Sequence, residues 1–474
     1  MIFNSFIFFI FLGVALPVYY ALRSTQSRNI FLLLASYFFY GYWDWRFCSL
    51  LAFTTIVDYF IGDQIFKTDD AGKRKRLLIV SLVVNLGILG FFKYFNFFVE
   101  NFQELSTAIG IPLDFVHLNI ILPVGLSFYV FHNLSYIVDI YRKKIEPCRD
   151  IVVFGLFVTF FPQLVAGPIG RASFLLPQLS KRMVATTHQV KQGIVLITMG
   201  LFRKVMIGDT TGRYVDHIFE HLEVYNSVEI ICAIVLFAVQ IYADFSGYSL
   251  IARGTSKLFG VELMKNFEQP YLSRNITEFW RRWHISLSSW LRDYLYISLG
   301  GNRKGAVRTY VNLMLTMLLG GLWHGASWNF VVWGGLHGLY LVIHKLFTGD
   351  RRIAAENKWP FGIKDWMNVI FTNVLVLFAW IFFRSTSWET TRILFSRIWH
   401  WESSEYSLWF IGTTLTYLLL TLALDLFAYA SGKHTYLLRI KSAPLRHGIM
   451  AATLIFTLFY LFQSNPMPFI YFKF

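Results

Sequence analysis

The sequence predicts an all-α, polytopic membrane protein that crosses the bilayer about eleven times. Three observations carry that prediction. Of 474 residues, 55% are hydrophobic and only 15% charged, whereas a soluble domain carries roughly 25% charged residues, so there is too little polar surface to cover a water-exposed globule. The mean hydropathy is +0.50. Phe (49), Tyr (25) and Trp (15) are abundant, which suits bilayer interfaces, where a ring sits in hydrocarbon while an N–H or O–H reaches the headgroups.

Apolar stretches of spanning length lie at 4–22, 77–98, 120–140, 190–207, 228–250, 326–346, 365–384, 407–430 and 447–463. Shorter ones lie at 30–43, 49–62, 151–166 and 308–323, where a tilted crossing and a re-entrant helix are both open. The start, Met1-Ile2-Phe3-Asn4-Ser5, has no basic residue before its apolar run and no small-residue cleavage site after it, so the first span is expected to be retained. The chain reads as a single transmembrane domain over 1–474. No internal repeat of the transporter kind is visible.

Charge sets the expected orientation. Arg23 and Arg28, the run Lys67 with Lys73 to Arg76, Arg142 to Lys144, Arg351 with Arg352, and Lys433 to Arg446 fall on one side. Glu100, Glu104 and Asp114, then Asp209, Asp216, Glu220 and Glu223, fall on the other. By the positive-inside rule the basic loops are expected to face the cytoplasm and both termini to lie outside it. A full crossing by 151–166 would put Arg171, Lys181, Arg182 and Lys191 outside, so this stretch is expected to dip in and return. The same rule accounts for the net charge of +15, so no nucleic-acid partner is expected. Cys48, Cys148 and Cys232 are far apart and imply neither a disulfide framework nor a thiolate metal site.

The stretch 252–308 reads as an interfacial helix. Ile276, Trp280, Trp283, Leu287, Trp290 and Tyr294 recur at spacings of three and four, with Arg281, Arg282, Ser288, Ser289 and Arg292 opposite. Asn275 with Glu278 supplies a capping-box start.

Three constellations carry chemistry. Gly320-Gly321-Leu322-Trp323-His324-Gly325 places one imidazole among glycines and aromatics. An ionisable group inside a membrane protein is costly to desolvate and is a functional candidate; histidine also titrates near neutrality, as a general base for an alcohol requires. A core histidine bonded to a backbone carbonyl is the alternative. The spacings Gly321/Gly325 and Gly334/Gly338 also allow close helix packing. The second run, Glu278-Phe279-Trp280-Arg281-Arg282-Trp283-His284-Ile285-Ser286, with Arg303 and Lys304 beyond, offers cations for lipid headgroups or for the phosphates of an anionic donor. His284 stands beside the apolar face, where it could share a cavity with His324. The third, Gln240 to Ser249, holds Asp244 at the end of a span, where it orients a histidine or arginine or caps the next helix. Asn133, in a polar run of another span, is a candidate cavity residue, as are Trp283, Ser286 and Trp323. No nucleotide loop, nucleophile elbow or metal cluster is present in the pattern, and no metal is expected.

Together these runs, with the start of the chain and Leu122-Pro123-Val124-Gly125-Leu126-Ser127-Phe128-Tyr129, resemble the membrane-bound O-acyltransferase family, and within it the alginate O-acetyltransferase AlgI-like branch. The resemblance implies a helical shell with a thin centre, a catalytic role for His324 and a second functional site at His284. It implies acetyl-CoA as acyl donor with no permanently bound cofactor and an extracytoplasmic glycan as acceptor, reached directly or through a partner protein; the chain shows no obvious extracytoplasmic domain for gripping a long polymer, so a separate envelope partner is expected. Ser249-Leu250-Ile251-Ala252, with Gly254-Thr255-Ser256, departs towards the teichoic-acid D-alanyl-transfer branch, whose donor is a carrier-protein thioester. A proton-coupled transporter or flippase is the alternative of another class.

Overall fold

The computed structural model describes residues 1–111, 113, 115–165, 167–349, 360–463 and 467–472. Asp114, Arg351 and Arg352, named above for orientation, lie outside the described residues. The described chain is helical without a strand, as a bilayer demands of any backbone that cannot close into a barrel. It forms two compact units. One comprises residues 1, 3–189 and 256–264; the other comprises residues 2, 190–255 and 265–474.

In the first unit, α1 (Phe6–Ala21), α2 (Thr25–Asp44), α3 (Phe47–Lys67), α4 (Ala71–Ala108) and α5 (Leu126–Tyr141) follow the apolar stretches closely. Ser5, Ser24 and Asp70 cap α1, α2 and α4 by accepting the amides of Phe8, Ser27 and Gly72. Asp58 of α3 is buried and accepts hydrogen bonds from Ser81 (2.5 Å) and Asn85 (2.7 Å) of α4, so a polar triplet ties two apolar helices together. Arg28, expected in a loop, is buried in α2, where it donates to the carbonyls of Leu22 and Met183. The stretch 151–166 divides at Phe160 into α6 (Ile151–Thr159) and α7 (Phe161–Leu164). Nine residues make about 13 Å of helix, too little to cross. The short α8 (Ala172–Leu179) follows.

The second unit is built on α11 (Ser227–Leu258), reached through α9 (Thr187–Leu201), a π-helical stretch (Phe202–Asp209) and α10 (Thr210–Glu220). The most apolar window of α11 is 83% buried, against 11% for α19 (Ala443–Gln463), which makes α11 the core helix of this unit. Glycines bring it against α9 at backbone distance. A Cβ on Gly200 would lie 2.7 Å from the Gly247 carbonyl oxygen, and one on Gly254 would lie 2.7 Å from that of Gly193. The seven-residue spacing of both pairs repeats the contact two turns on.

Among the described residues, six helices are long and apolar enough to cross a membrane: α4, α11, α15 (Trp328–Thr348), α16 (Ile363–Arg384), α18 (Ser407–Ser431) and α19. Helices such as α1 are shorter, and the fuller expected count includes them.

The interfacial helix is corrected. Residues 276–296 do not form one rod; they divide into α12 (Ile276–Arg282), α13 (Ile285–Trp290) and a π-helical turn (Leu291–Tyr296). The division falls at His284, whose backbone is left-handed at φ 42° and ψ 53°. Half of the capping box forms. The Asn275 side chain accepts the Glu278 amide at 2.8 Å, but Glu278 turns to the amide of Arg274.

Candidate active site

A left-handed backbone costs a residue with a side chain about 1–3 kcal/mol, so the turn at His284 is held by its surroundings. The Asn266 carbonyl accepts the Ile285 amide at 2.8 Å, the Asn266 side chain accepts the Ser286 hydroxyl at 2.7 Å, and Asn266 itself donates to Ser249. The turn drives the His284 ring inward to complete burial. There it lies edge-on to Phe245 (4.7 Å between ring centres) and near Trp323 (6.2 Å). Neither ring nitrogen has a hydrogen-bond partner among the described residues.

His324 is the last residue of α14 (Ala306–His324), and Gly325 is extended rather than left-handed. α14 and α15 pack at backbone contact. A Cβ on Gly321 would lie 2.2 Å from the Phe330 carbonyl oxygen, one on Gly334 2.3 Å from that of Met317, and one on Gly325 2.1 Å from the Phe330 ring. The packing role expected of these glycines therefore holds, and it clamps the His324 backbone. The imidazole is boxed by Trp323 and Trp333 (both 4.9 Å) and Phe383 (5.2 Å).

Sequence reasoning missed the group that joins the two histidines. The segment Met467–Phe472 enters this unit and sets the ring of Tyr471 5.6 Å from His324, 6.4 Å from His284 and 4.7 Å from Phe245. Its neighbour Phe469 stacks on Tyr248 at 4.7 Å. The segment is fixed through its backbone. Asp244 accepts the Ile470 amide at 3.0 Å, and Lys204 donates to the Pro468 carbonyl at 3.3 Å. Lys204 is fully buried in the π-helical stretch and pairs with both Asp209 (2.7 Å) and Asp244 (2.9 Å). The signal available was one hydroxyl in the otherwise apolar run Pro468-Phe469-Ile470-Tyr471-Phe472.

Beside this centre lies a cavity of about 600 Å³ whose wall includes Thr277, Trp280, Arg281, Arg292, His344 and Lys345. That volume is typical of small-molecule sites. Arg281 and Arg292 are exposed, and His344 is hydrogen-bonded to the Thr277 hydroxyl at 2.9 Å.

Residues 150–388 match the model of MBOAT, the membrane-bound O-acyltransferase family. The chain belongs to this family. A probable alginate O-acetylase AlgI of Pseudomonas putida is 41% identical over 85% of this chain and 82% of its own. A peptidoglycan O-acetyltransferase of Helicobacter pylori is 34% identical over 82% of this chain and 78% of its own. A teichoic acid D-alanyltransferase of Streptococcus thermophilus is 26% identical over 53% of this chain and 67% of its own. The protein is thus a multi-pass membrane O-acyltransferase, and both histidines fall within the family match while Tyr471 lies beyond it.

Several candidate residues of this acyltransferase take other roles. Asp244 sits in mid-helix on α11 rather than at a helix end, where it pairs with Lys204 and accepts the Ile470 amide. Arg282 does not face solvent. It is buried, paired with Glu278 at 2.9 Å, and donates to the Glu268 carbonyl at 3.0 Å. Trp283 is buried, stacked on Phe279 at 5.6 Å and packed on Trp380 at 5.1 Å, while Ser286 braces the His284 turn. Arg303 and Lys304 are on an exposed turn outside the cavity wall. Asn133 is buried in α5 of the first unit. Of the candidates, His284, His324 and Trp323 come together, and Arg281 lines the cavity. Asp209, expected in an acidic loop, is buried instead against Lys204. A further pair, Arg203 with Asp425 at 2.7 Å, is buried in the same unit.

Proposed function

We propose that this enzyme moves an acetyl group from cytoplasmic acetyl-CoA to a hydroxyl of an extracytoplasmic polysaccharide, in a bacterial inner membrane crossed about eleven times when shorter helices are included. Both termini then lie outside the cytoplasm. The observation that carries the reading is the grouping of His324, His284 and Tyr471 in one aromatic box. An alcohol is a weak nucleophile until its proton can leave, so His324 acts as general base and passes that proton to the departing thiolate. His284 faces the thioester carbonyl and stabilises the charge that develops on its oxygen. The cations Arg281, Arg292 and Lys345 on the cavity wall suit the phosphates of CoA. Acetyl rather than D-alanyl transfer is favoured by the higher identity and longer coverage of the two O-acetylating relatives.

The chain itself brings the phenol ring of Tyr471 beside both imidazoles, and this favours a relayed route. The thioester C–S bond breaks, a bond forms to the phenolic oxygen, and the proton travels through His324 to the CoA thiolate. The resulting aryl ester remains an activated acyl group that an envelope partner can hand to the glycan. The test compares ester acetate on envelope glycan from cells carrying wild type, His324→Ala, Tyr471→Phe or no protein, with membrane levels matched by blot. Loss of acetate in His324→Ala is expected; normal acetylation would make His324 a packing residue. Tyr471→Phe keeps the ring and removes the hydroxyl, so loss of acetate supports the relay and normal acetylation leaves direct transfer. If wild type adds no acetate, D-alanine ester is the product to assay.

A further inference from the structure

The cavity and the His324 box are linked through two indoles, Trp280 on the cavity wall and Trp333 beside His324. Trp280 forms part of the cavity wall. On its other side its indole meets Trp333 (5.8 Å, 70°) and the fully buried His337 (5.1 Å, 84°). Trp333 in turn lies edge-on to His324 at 4.9 Å. A second line of evidence comes from α14. Thr316 and Met317 line the cavity, and His324 lies seven residues on, about 10 Å along the helix axis. Along those two turns α14 is closed against α15 by the Gly321 and Gly334 contacts, which leaves no slack on that side.

We infer that Trp280 is the specificity-determining residue for the acyl group: it bounds the passage from the donor cavity to His324 and restricts that passage to short chains. This rests on the reading of the cavity as the donor site. The indole is held by edge-on aromatic contacts rather than by polar bonds, since its N–H has no hydrogen-bond partner among the described residues. It therefore presents a fixed apolar face that leaves room for an acetyl group and fills the space a longer chain needs. A rigid apolar wall rejects an added methylene by about tenfold or more, so the selection should be steep over the first few carbons.

The test uses the purified full-length protein, with thioester hydrolysis as the readout, in which water takes the acyl group and CoA leaves as the thiol, measured for acetyl-, propionyl-, butyryl- and hexanoyl-CoA, and with CoA binding followed by calorimetry. Wild type is expected to prefer acetyl-CoA over butyryl-CoA by kcat/KM. In Trp280→Ala the butyryl-to-acetyl ratio should rise at least about tenfold, with Trp280→Leu intermediate. A ratio does not depend on the active fraction, so partial misfolding of the alanine variant leaves it readable; if that variant cannot be recovered, Trp280→Leu carries the test. An unchanged ratio in variants that bind CoA as wild type does overturns the assignment of Trp280 and leaves the donor cavity standing. Equal use of acetyl- and butyryl-CoA by wild type also overturns it. Failure of wild type to bind CoA removes the donor cavity itself, and the inference with it.

Discussion

Two adjacent arginines show how far a residue's role depends on where its side chain ends. Arg281 is exposed on the cavity wall, whereas Arg282 is buried against Glu278 with its guanidinium 5.1 Å over the Tyr429 ring. Arg281→Ala is expected to raise the KM for acetyl-CoA roughly tenfold, the size of one lost charged hydrogen bond, without changing the melting temperature. Arg282→Ala should do the reverse, lowering stability by up to about 3–5 kcal/mol as Glu278 loses a buried partner. Thermal melts and donor titrations of the two variants check this. His284 gives a further separation. Asn tolerates left-handed backbone and β-branched residues do not, so His284→Asn should reach the membrane at normal levels and be inactive, while His284→Val should fail to accumulate. Equal accumulation of both variants would mean the left-handed turn is not a constraint.

At the scale of elements, glycine spacing decides which helices touch. Gly334 meets the Met317 carbonyl and Gly338 meets Met314, while nothing lies within 4 Å of a Cβ added at Gly412. Gly334→Ala is therefore expected to cost about 1–3 kcal/mol through forced separation of α14 and α15. It should also lower turnover, because His324 ends α14. Gly412→Ala should be neutral or slightly stabilising, since alanine suits a helix better than glycine. Unfolding curves in detergent together with acetylation in cells distinguish them. The spacings at 321/325 and 334/338 were legible in the sequence because four-residue repeats are a known signature of close helix contact. The pairs 193/200 and 247/254 were not, since a spacing of seven on two separate helices becomes meaningful only when those helices are seen to face each other.

For the whole molecule, the buried charges of the second unit form the frame around the site. Lys204 holds two carboxylates and one carbonyl of the segment that carries Tyr471, and a buried ion is tolerated only when its partners are this complete. Lys204→Met is expected to destabilise the protein by about 3–5 kcal/mol, because Asp209 and Asp244 would be left facing each other without a cation. It should also release Met467–Phe472 to protease before the helices melt. Limited proteolysis with mass spectrometry reads this directly; cleavage elsewhere first would mean that the segment is held by its aromatic contacts instead.

The helical membrane class, the order of the apolar elements and the candidacy of His324 and His284 could be read from residue types and their spacing. Desolvation makes an isolated imidazole in an apolar chain conspicuous, and periodicity makes a helix conspicuous. The kink at His284 could not be read, because the amphipathic pattern of 276–294 runs through it without interruption and the contacts that force it come from Asn266. Asp244 and Asp209 looked like helix-end and loop acids because a carboxylate is expected near water. Only the tertiary structure brings Lys204, from the π-helical stretch that ends at Asp209, against Asp244 of α11 as the cation that makes their burial tolerable. Tyr471 and Trp280 looked like two more aromatics among 89 (49 Phe, 25 Tyr, 15 Trp). What sets them apart is position alone: one is brought beside both imidazoles by a segment well over a hundred residues further along the chain, and the other bounds a cavity made by five helical pieces. The sequence determined solvent, element and chemistry; packing decided which side chains meet, because contacts between distant segments leave no periodic trace in either one.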